Sequence, residues 1–181
     1  MRFLQLPVLF LAAWAPAAWG QAEHLAPFVP SPQLVVEKML QAAGLKPHEV
    51  LYDLGSGDGR VVITAAQKFR AKAVGVELSQ DLCQRALREV KLLGLQDRVE
   101  IINADLLTVD LSPADVVILY LLTSSNDRLK PNLQKYLKPG ARVVSHDFKI
   151  RGWKPARIAE VEVANRVHTI YVYEMGPAPK K

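Results

Sequence analysis

The order of apolar and polar positions along the chain predicts short strands that alternate with amphipathic helices. Five runs are typical of strands, and they cover residues 50–54, 73–77, 98–105, 114–120 and 141–148. Apolar residues at helical spacing follow Ser31, which can cap a helix, and they recur after Gly59 and over residues 80–93 and 126–137. In the last of these helices Pro131 is tolerable only in the first turn.

Two further runs of alternating residues close the pattern. Residues 158–163 and 168–173 predict two strands that are joined around residues 164–166. Such a pair is typical of an antiparallel hairpin. We therefore predict an α/β fold in which five strand–helix units precede a terminal hairpin.

The first strand runs into a glycine-rich turn, Asp53-Leu54-Gly55-Ser56-Gly57-Asp58-Gly59. The three glycines have no β-carbon, so the backbone of the turn can adopt positive φ at these positions. The helix that follows directs its amino terminus at the turn. This arrangement is typical of a nucleotide-type binding loop. The dinucleotide fingerprint places its third glycine three residues after the second, whereas here the interval is two. A strand-to-helix turn that merely needs small residues is the structural alternative.

Acidic residues end the next two strands as well. Glu77 lies twenty-two residues after Gly55, where an acid can accept hydrogen bonds from both ribose hydroxyls of an adenosine. Asp105 ends the third strand. The structural alternatives are an exposed cap for Glu77 and a helix cap or loop acid for Asp105.

Composition limits the classes of partner and site. The 181 residues are 50% apolar, which suits one domain with a substantial core. A net charge of +5 permits a nucleic acid or an anionic membrane as a neighbour, but Lys and Arg are scattered, so there is no strong nucleic-acid signal. Cys83 is the single cysteine, which excludes an internal disulfide and a cysteine-rich metal site, and we predict no metal.

The amino terminus has the pattern of an export signal. Met1-Arg2 precede an apolar run over residues 3–19, and small residues flank a plausible cleavage site before Gln21. An uncleaved membrane anchor and a disordered start are the alternatives, although Pro7 and Pro16 argue against a stable spanning helix. We predict an exported or periplasmic protein, which stays anchored in the membrane if the segment is not cleaved. Export conflicts with the nucleotide-type ligand that the glycine turn predicts, because such a cofactor is made in the cytosol. The predicted divisions are 1–20 for the signal peptide or anchor, 21–32 for an extended segment, 33–176 for the domain and 177–181 for a tail.

Over residues 26–175 the chain resembles the class I S-adenosylmethionine-dependent methyltransferases. The resemblance is carried by Asp53-x-Gly55-x-Gly57-x-Gly59, Glu77, Asn103-Ala104-Asp105-Leu106 and the Lys138-Pro139-Gly140 turn. It implies a Rossmann-like three-layer sandwich with a seven-stranded sheet of order 3-2-1-4-5-7-6, in which strand 7 is antiparallel. It also implies S-adenosyl-L-methionine as the cofactor, with Asp53 at its methionine end and Asp105 on the adenine amine.

A narrower resemblance concerns the acceptor. Pro27-Phe28-Val29-Pro30-Ser31, followed by residues 52–62, resembles the small protein-lysine methyltransferases of the ATP-synthase subunit c and adenine nucleotide translocase type. In a subset of methyltransferases the segment before the glycine loop lies over the cofactor. The Asn/Asp-Pro-Pro-Tyr/Phe motif of the nucleobase and glutamine methyltransferases is absent after the fourth strand. A protein lysine is therefore the predicted acceptor; a small molecule and a non-catalytic cofactor-binding module are the alternatives.

These patterns and resemblances select a candidate site. The predicted cofactor-binding residues are Phe28, Ser31, Asp53, Gly55, Ser56, Gly57, Glu77, Leu78, Asp105 and Leu106. At the carboxyl ends of strands four and five we expect Tyr120, Thr123 and Asp147 to hold the acceptor amine by hydrogen bonds. His146 should reach the same rim, although a lone histidine beside an acid is more often structural than catalytic. The chain has no long insertion after these strands, so the rim should be open to a side chain of a larger partner.

Calorimetry tests the choice of cofactor. The protein should bind S-adenosylmethionine and not NAD, and Glu77→Ala should weaken that binding by about 1.5–3 kcal/mol because charged hydrogen bonds are lost. Tight binding of NAD, with no binding of S-adenosylmethionine or its demethylated product, would exclude the methyltransferase interpretation.

Overall fold

The computed structural model describes residues 28–176. The predicted export signal or anchor, most of the extended segment and the predicted tail lie outside the described residues, so these assignments stay predictions. Within residues 28–176, none of the helices combines the length and the apolar character needed to cross a bilayer.

The described chain forms one mixed sheet with helices packed on it. The elements in chain order are α1 Gln33–Ala42, β1 Val50–Leu54, α2 Arg60–Phe69, β2 Lys72–Glu77, α3 Gln80–Leu92, β3 Val99–Asn103, β4 Val116–Leu119, α4 Thr123–Tyr136, β5 Arg142–His146, β6 Arg157–Val163 and β7 Arg166–Glu174. The seven strands have the order β3-β2-β1-β4-β5-β7-β6, and β7 is antiparallel to both of its neighbours. The predicted α/β fold and strand order are confirmed.

The register aligns the carboxyl ends of the central strands. Asp53 of β1 lies level with Gly75 of β2 and with Ile118 of β4. Glu77, at the end of β2, lies opposite Asn103 of β3. Because the chain order reverses on either side of β1, a crevice opens at this edge of the sheet, where ligands of open α/β sheets bind.

Each face of the sheet carries its own apolar core. On one face, Val35 and Met39 of α1 and Val62 of α2 are buried against Leu51 of β1. On the other face, Leu129 and Leu133 of α4 are buried beside Leu119 and Tyr173. The sheet therefore lies between two helical layers, as the resemblance implied, and its strands are held firmly enough to position side chains at their ends.

The predicted five strand–helix units are wrong at two connections. In the described chain no helix joins β3 to β4 or β5 to β6. The first connection is held in a turn instead, because the Asn132 Nδ2 amide donates to the Leu107 carbonyl over 2.6 Å. In the second, the backbone N–H of Ile150 donates to the Tyr173 hydroxyl over 3.0 Å.

Two details at the helix ends also differ from the predictions. Helix α4 begins at Thr123, three residues earlier than expected, so Pro131 lies in its interior; Pro131 is exposed, and a carbonyl left without its donor there can bind water. Ser31 does not cap α1. Pro32 occupies the cap position without a side-chain hydrogen bond, because the Ser31 hydroxyl lies 2.9 Å from Nδ1 of the buried His146.

Candidate active site

A cavity of about 590 Å³ opens at the carboxyl edge of β1, β2 and β4, within the size range of small-ligand pockets. All ten residues that the sequence selected for the cofactor contribute to its wall: Phe28, Ser31, Asp53, Gly55, Ser56, Gly57, Glu77, Leu78, Asp105 and Leu106. Tyr120, Leu121 and Leu122 complete the wall beyond β4. The tertiary structure therefore brings together residues that are spread over most of the domain.

The glycine turn lies against the cavity with its backbone exposed to a ligand. Gly55, Gly57 and Gly59 have φ values of +86°, +55° and +82°, a region that favours glycine. The N–H groups of Gly55 and Ser56 donate to the Val76 carbonyl over 2.8 and 3.0 Å, which fixes the turn to β2. A β-carbon at Gly57 would overlap the ring of Phe28. The segment before α1 thus packs directly on the turn through Phe28, and a side chain at residue 57 would displace that ring.

Glu77 joins the glycine turn to the start of α3. Its Oε2 accepts the Gly57 N–H over 2.9 Å, and its Oε1 accepts the Ser79 N–H over 2.8 Å. Each carboxylate oxygen has a second lone pair, so both oxygens can still accept a hydrogen bond from a hydroxyl group of a ligand. Glu77 can therefore position the turn and bind a diol at the same time.

Asp105 is placed to accept a hydrogen bond from a ligand amine. Its Oδ1 accepts the backbone N–H of Leu107 over 2.9 Å, which orients the carboxylate. The Asn103 amide beside it donates to the carbonyls of Glu77 and Leu78 over 3.0 and 2.8 Å and ties β3 to β2. Asp105 and Leu106 thus form one wall of the cavity next to Glu77.

Asp53 is a buried carboxyl group in the cavity wall. It is 5% exposed. Burial, together with the nearby carboxylates of Glu77 and Asp58, raises the pKa of Asp53 to about 8. A strongly perturbed carboxyl in a cavity indicates a functional site, and a cation bound beside it would restore its charge. The ammonium and sulfonium groups of S-adenosylmethionine are such cations, so these residues fit this cofactor.

Arg60, which the sequence reasoning missed, fastens the segment before α1 to the site. Its guanidinium pairs with Asp58 at 2.5 Å and donates to the Ser31 carbonyl over 2.9 Å. The pairing with Asp58 raises the pKa of Arg60, which therefore stays charged. A cation in the first turn of α2 was the available sign, but its partner is twenty-nine residues earlier and no local pattern indicates it.

Tyr120 faces the cavity and is supported from behind by a histidine. Its ring stacks on His146 with centroids 3.9 Å apart and an angle of 29° between the planes. His146 is fully buried, and burial lowers its pKa, so the ring is neutral. Besides Ser31, it contacts His168: its Nε2 lies 2.9 Å from Nδ1 of that residue. The histidine thus acts behind the wall and does not itself line the cavity.

The structure does not place the other two predicted acceptor residues in the cavity wall. Thr123 is the first residue of α4, and among the described residues that line the cavity neither it nor Asp147 occurs. The Asp147 carboxylate is directed at β7, where Oδ1 accepts the Thr169 N–H over 2.8 Å and Oδ2 pairs with Arg166 at 2.9 Å. Asp147 has a φ of +58°, so the strand has ended and alternation no longer fixes its direction. Of the predicted acceptor group, Tyr120 alone lies in the wall.

Comparison with known proteins identifies close relatives. The family model of the ANTKMT methyltransferase domain matches residues 53–157. A protein-lysine N-methyltransferase of Saccharolobus islandicus is 47% identical over 151 residues, which cover 83% of this chain and 94% of that protein. The adenine nucleotide translocase lysine N-methyltransferase of Mus musculus is 34% identical, and this chain spans 65% of its length.

Among solved structures, one neighbour was crystallised with the demethylated cofactor. It is an RNA methyltransferase from Salinibacter ruber in complex with S-adenosyl-L-homocysteine. It shares 44% sequence identity, the alignment has a TM-score of 0.77, and it covers 82% of this chain and 94% of that one.

The raised pKa of Asp53 predicts how binding changes with pH. Because the pKa of Asp53 in the folded protein lies above that in the unfolded chain, the unfolded chain loses this proton first, and the free energy of unfolding falls as pH rises from about 4 towards 8. A bound cation lowers this pKa, so binding releases a proton, and affinity should rise up to about tenfold per pH unit between roughly pH 6 and 7.5. Above that range the cofactor's own amine begins to lose its charge.

Calorimetry in buffers of different ionisation enthalpy measures both the affinity and the proton release. Asp53→Asn, which keeps the shape and removes the charge, should bind more weakly at pH 7.5, lose the pH dependence and melt at a higher temperature without cofactor. An affinity that is constant over this range, or an equal slope in Asp53→Asn, would refute the assignment.

Proposed function

This chain belongs to the family of the ANTKMT methyltransferase domain, and we propose that it methylates the ε-amine of a lysine in another protein. It is an S-adenosylmethionine-dependent methyltransferase, as its family and its relatives show. The lysine acceptor is supported by the activity for which the relative of 47% identity is named. The open, apolar mouth of the cavity supports it independently.

The cofactor is assigned to the residues that line the cavity. We propose that Asp53 binds the ammonium of the methionine part, that Glu77 accepts from the ribose hydroxyls and that Asp105 accepts from the adenine amine. Leu78 and Leu106 provide apolar surface for the adenine ring, and Phe28 covers the glycine turn. The cofactor supplies a methyl group on a cationic sulfur; the protein supplies its binding and its orientation.

The mouth of the cavity carries apolar side chains that remain exposed. Phe28 is 50% exposed, Val29 is 53% and Leu122 is 43%. All three line the cavity, so apolar surface borders the entrance on two sides. In the described part of the chain no additional domain covers it. Such a rim suits contact with a protein surface around one inserted side chain.

Methyl transfer to an amine requires a neutral nitrogen in line with the methyl group more than it requires a dedicated base. The Tyr120 hydroxyl can accept a hydrogen bond from the amine and orient its lone pair. Leu121 and Leu122 surround this position with apolar atoms, and desolvation lowers the pKa of a lysine ammonium, which then releases its proton to water. These residues position a neutral amine without acting as acids or bases.

Three other outcomes compete with this proposal. The Salinibacter ruber neighbour is named for RNA, a small amine could enter an open cavity, and a domain can keep its cofactor pocket without catalysis. Lys and Arg are scattered along the sequence and form no cluster, which gives RNA no strong support as the acceptor. The exposed apolar rim also suits a protein better than a small amine, which would need enclosure.

Transfer of a labelled methyl group from S-adenosylmethionine tests the acceptor. The full chain is incubated separately with protein, RNA and small-molecule fractions of a cell extract, and labelled proteins are digested and read by mass spectrometry. Methyllysine in one or a few proteins is the expected result. Label that is confined to RNA or to a small molecule would refute the lysine assignment, and no turnover despite confirmed cofactor binding would favour a binding module.

Tyr120→Phe tests the acceptor side of the site. Losing its hydroxyl should lower kcat on the identified protein up to about tenfold, while the affinity for S-adenosylmethionine stays within about twofold. Tyr136→Phe is the matched control, since this tyrosine of α4 lies outside the cavity wall and should be as active as the parent. Equal rates for both variants would remove Tyr120 from the proposed role.

A further inference from the structure

Behind the cavity wall, three metal-ligating atoms from two strand ends converge on one point. The Nε2 of His146 lies 2.9 Å from the Nδ1 of His168 and 3.4 Å from the Oδ2 of Asp147. The Nδ1 of His168 lies 3.3 Å from the same Oδ2. Each residue therefore offers one potential metal-ligand atom, and the three atoms form a triangle whose sides are nearly equal.

These separations match those around a small divalent metal ion. Zinc binds histidine nitrogen at about 2.0–2.1 Å and carboxylate oxygen at about 2.0–2.2 Å, so tetrahedral geometry separates its ligand atoms by about 3.3 Å. Three such ligands, with a fourth position open to water, form a common zinc site. A cluster of two histidines and one carboxylate is also a recurrent ligand set for other transition metals.

The ligands are oriented by their own neighbours. The Nδ1 of His146 lies 2.9 Å from the Ser31 hydroxyl. If this hydroxyl accepts a hydrogen bond from Nδ1–H, the Nε2 atom keeps a lone pair that is directed at the cluster. Asp147 is held through its Oδ1 by the Thr169 N–H. The positive φ of Asp147 is an uncommon backbone conformation for a residue other than glycine, and such strain often occurs at functional sites.

Without an ion, hydrogen bonds hold this triangle, and each of its three atoms has a partner. If the proton lies on Nδ1 of His168, that nitrogen can donate to His146 and, at longer range, to Asp147. The Nε2 of His146 and the Oδ2 of Asp147 then face each other at 3.4 Å as two acceptors. A cation at the centre would bind all three lone pairs in place of these hydrogen bonds, and it would share the Asp147 Oδ2 with Arg166, which pairs with that oxygen at 2.9 Å.

We propose that His146, Asp147 and His168 bind one divalent transition-metal ion, for which zinc has the matching ligand set. The site differs from the cofactor cavity and does not depend on which acceptor is methylated. The ion would link the end of β5 to β7. Through His146 it would also brace Tyr120 and Ser31, the two residues of the cavity wall that this histidine contacts.

Metal titration of the full chain without a histidine tag tests this proposal. After treatment with a chelator, the protein should bind one equivalent of Zn²⁺ in competition with a colorimetric chelator and melt at a higher temperature with it. Co²⁺ should give visible absorption bands of a four-coordinate site with nitrogen and oxygen ligands. No saturable binding of either ion would overturn the proposal.

Variants locate the ion. His168→Gln and Asp147→Asn should each weaken binding at least about tenfold, and Ser31→Ala should do so by about 10–100-fold because it removes a supporting contact. His48→Asn is the matched control, because His48 is exposed and has a positive φ that asparagine tolerates; its affinity should equal that of the parent. Circular dichroism confirms that each variant is folded. Binding that survives in both folded ligand variants, or is lost in His48→Asn, would place the ion elsewhere.

Discussion

The hydrogen bond from the Gly57 N–H to the Glu77 carboxylate connects the parts that build the active site. It joins the glycine turn after β1 to the end of β2, while the second oxygen of Glu77 fixes the first residue before α3. The glycine turn and the segment before α1 can pack closely because Gly57 has no side chain and the Phe28 ring occupies that space. The backbone hydrogen bonds from Gly55 and Ser56 to Val76 hold the same turn, while Glu77 adds the link to α3 and one of the charges that raise the pKa of the buried Asp53.

A second set of contacts supports the acceptor side. His146 lies behind the wall and touches Tyr120, Ser31 and His168, so one buried ring links β4, the segment before α1 and β7. Arg60 reinforces the same segment from α2 through the Ser31 carbonyl. The cavity therefore combines a rigid cofactor side on strand ends with an apolar entrance that is fastened at two points. This division is physically suited to an enzyme that binds one constant cofactor and inserts one side chain of a variable partner.

The features that depend on local pattern and strand register could be predicted from the sequence. Acids at the ends of consecutive parallel strands have to meet at one edge of the sheet, so the pattern alone places Asp53, Glu77 and Asp105 together. Tertiary contacts decide the rest. Ser31 is a good capping residue by type but contacts a histidine 115 positions away, and Arg60 acts through a distant carbonyl. Asp147 belongs to the predicted acceptor group but does not line the cavity, because its positive φ, which no apolar pattern reveals, ends the alternation of β5.

The central claim is that the three strand-end carboxylates bind one S-adenosylmethionine molecule in a preorganised cavity. A crystal structure of the protein with S-adenosyl-L-homocysteine tests it most directly. We predict ribose hydroxyls within about 2.6–3.0 Å of the Glu77 carboxylate, the adenine amine at a similar distance from Asp105, and the Gly57–Glu77 hydrogen bond intact. A ligand bound outside this cavity, or a ribose that lies beyond hydrogen-bonding distance of Glu77, would contradict the account.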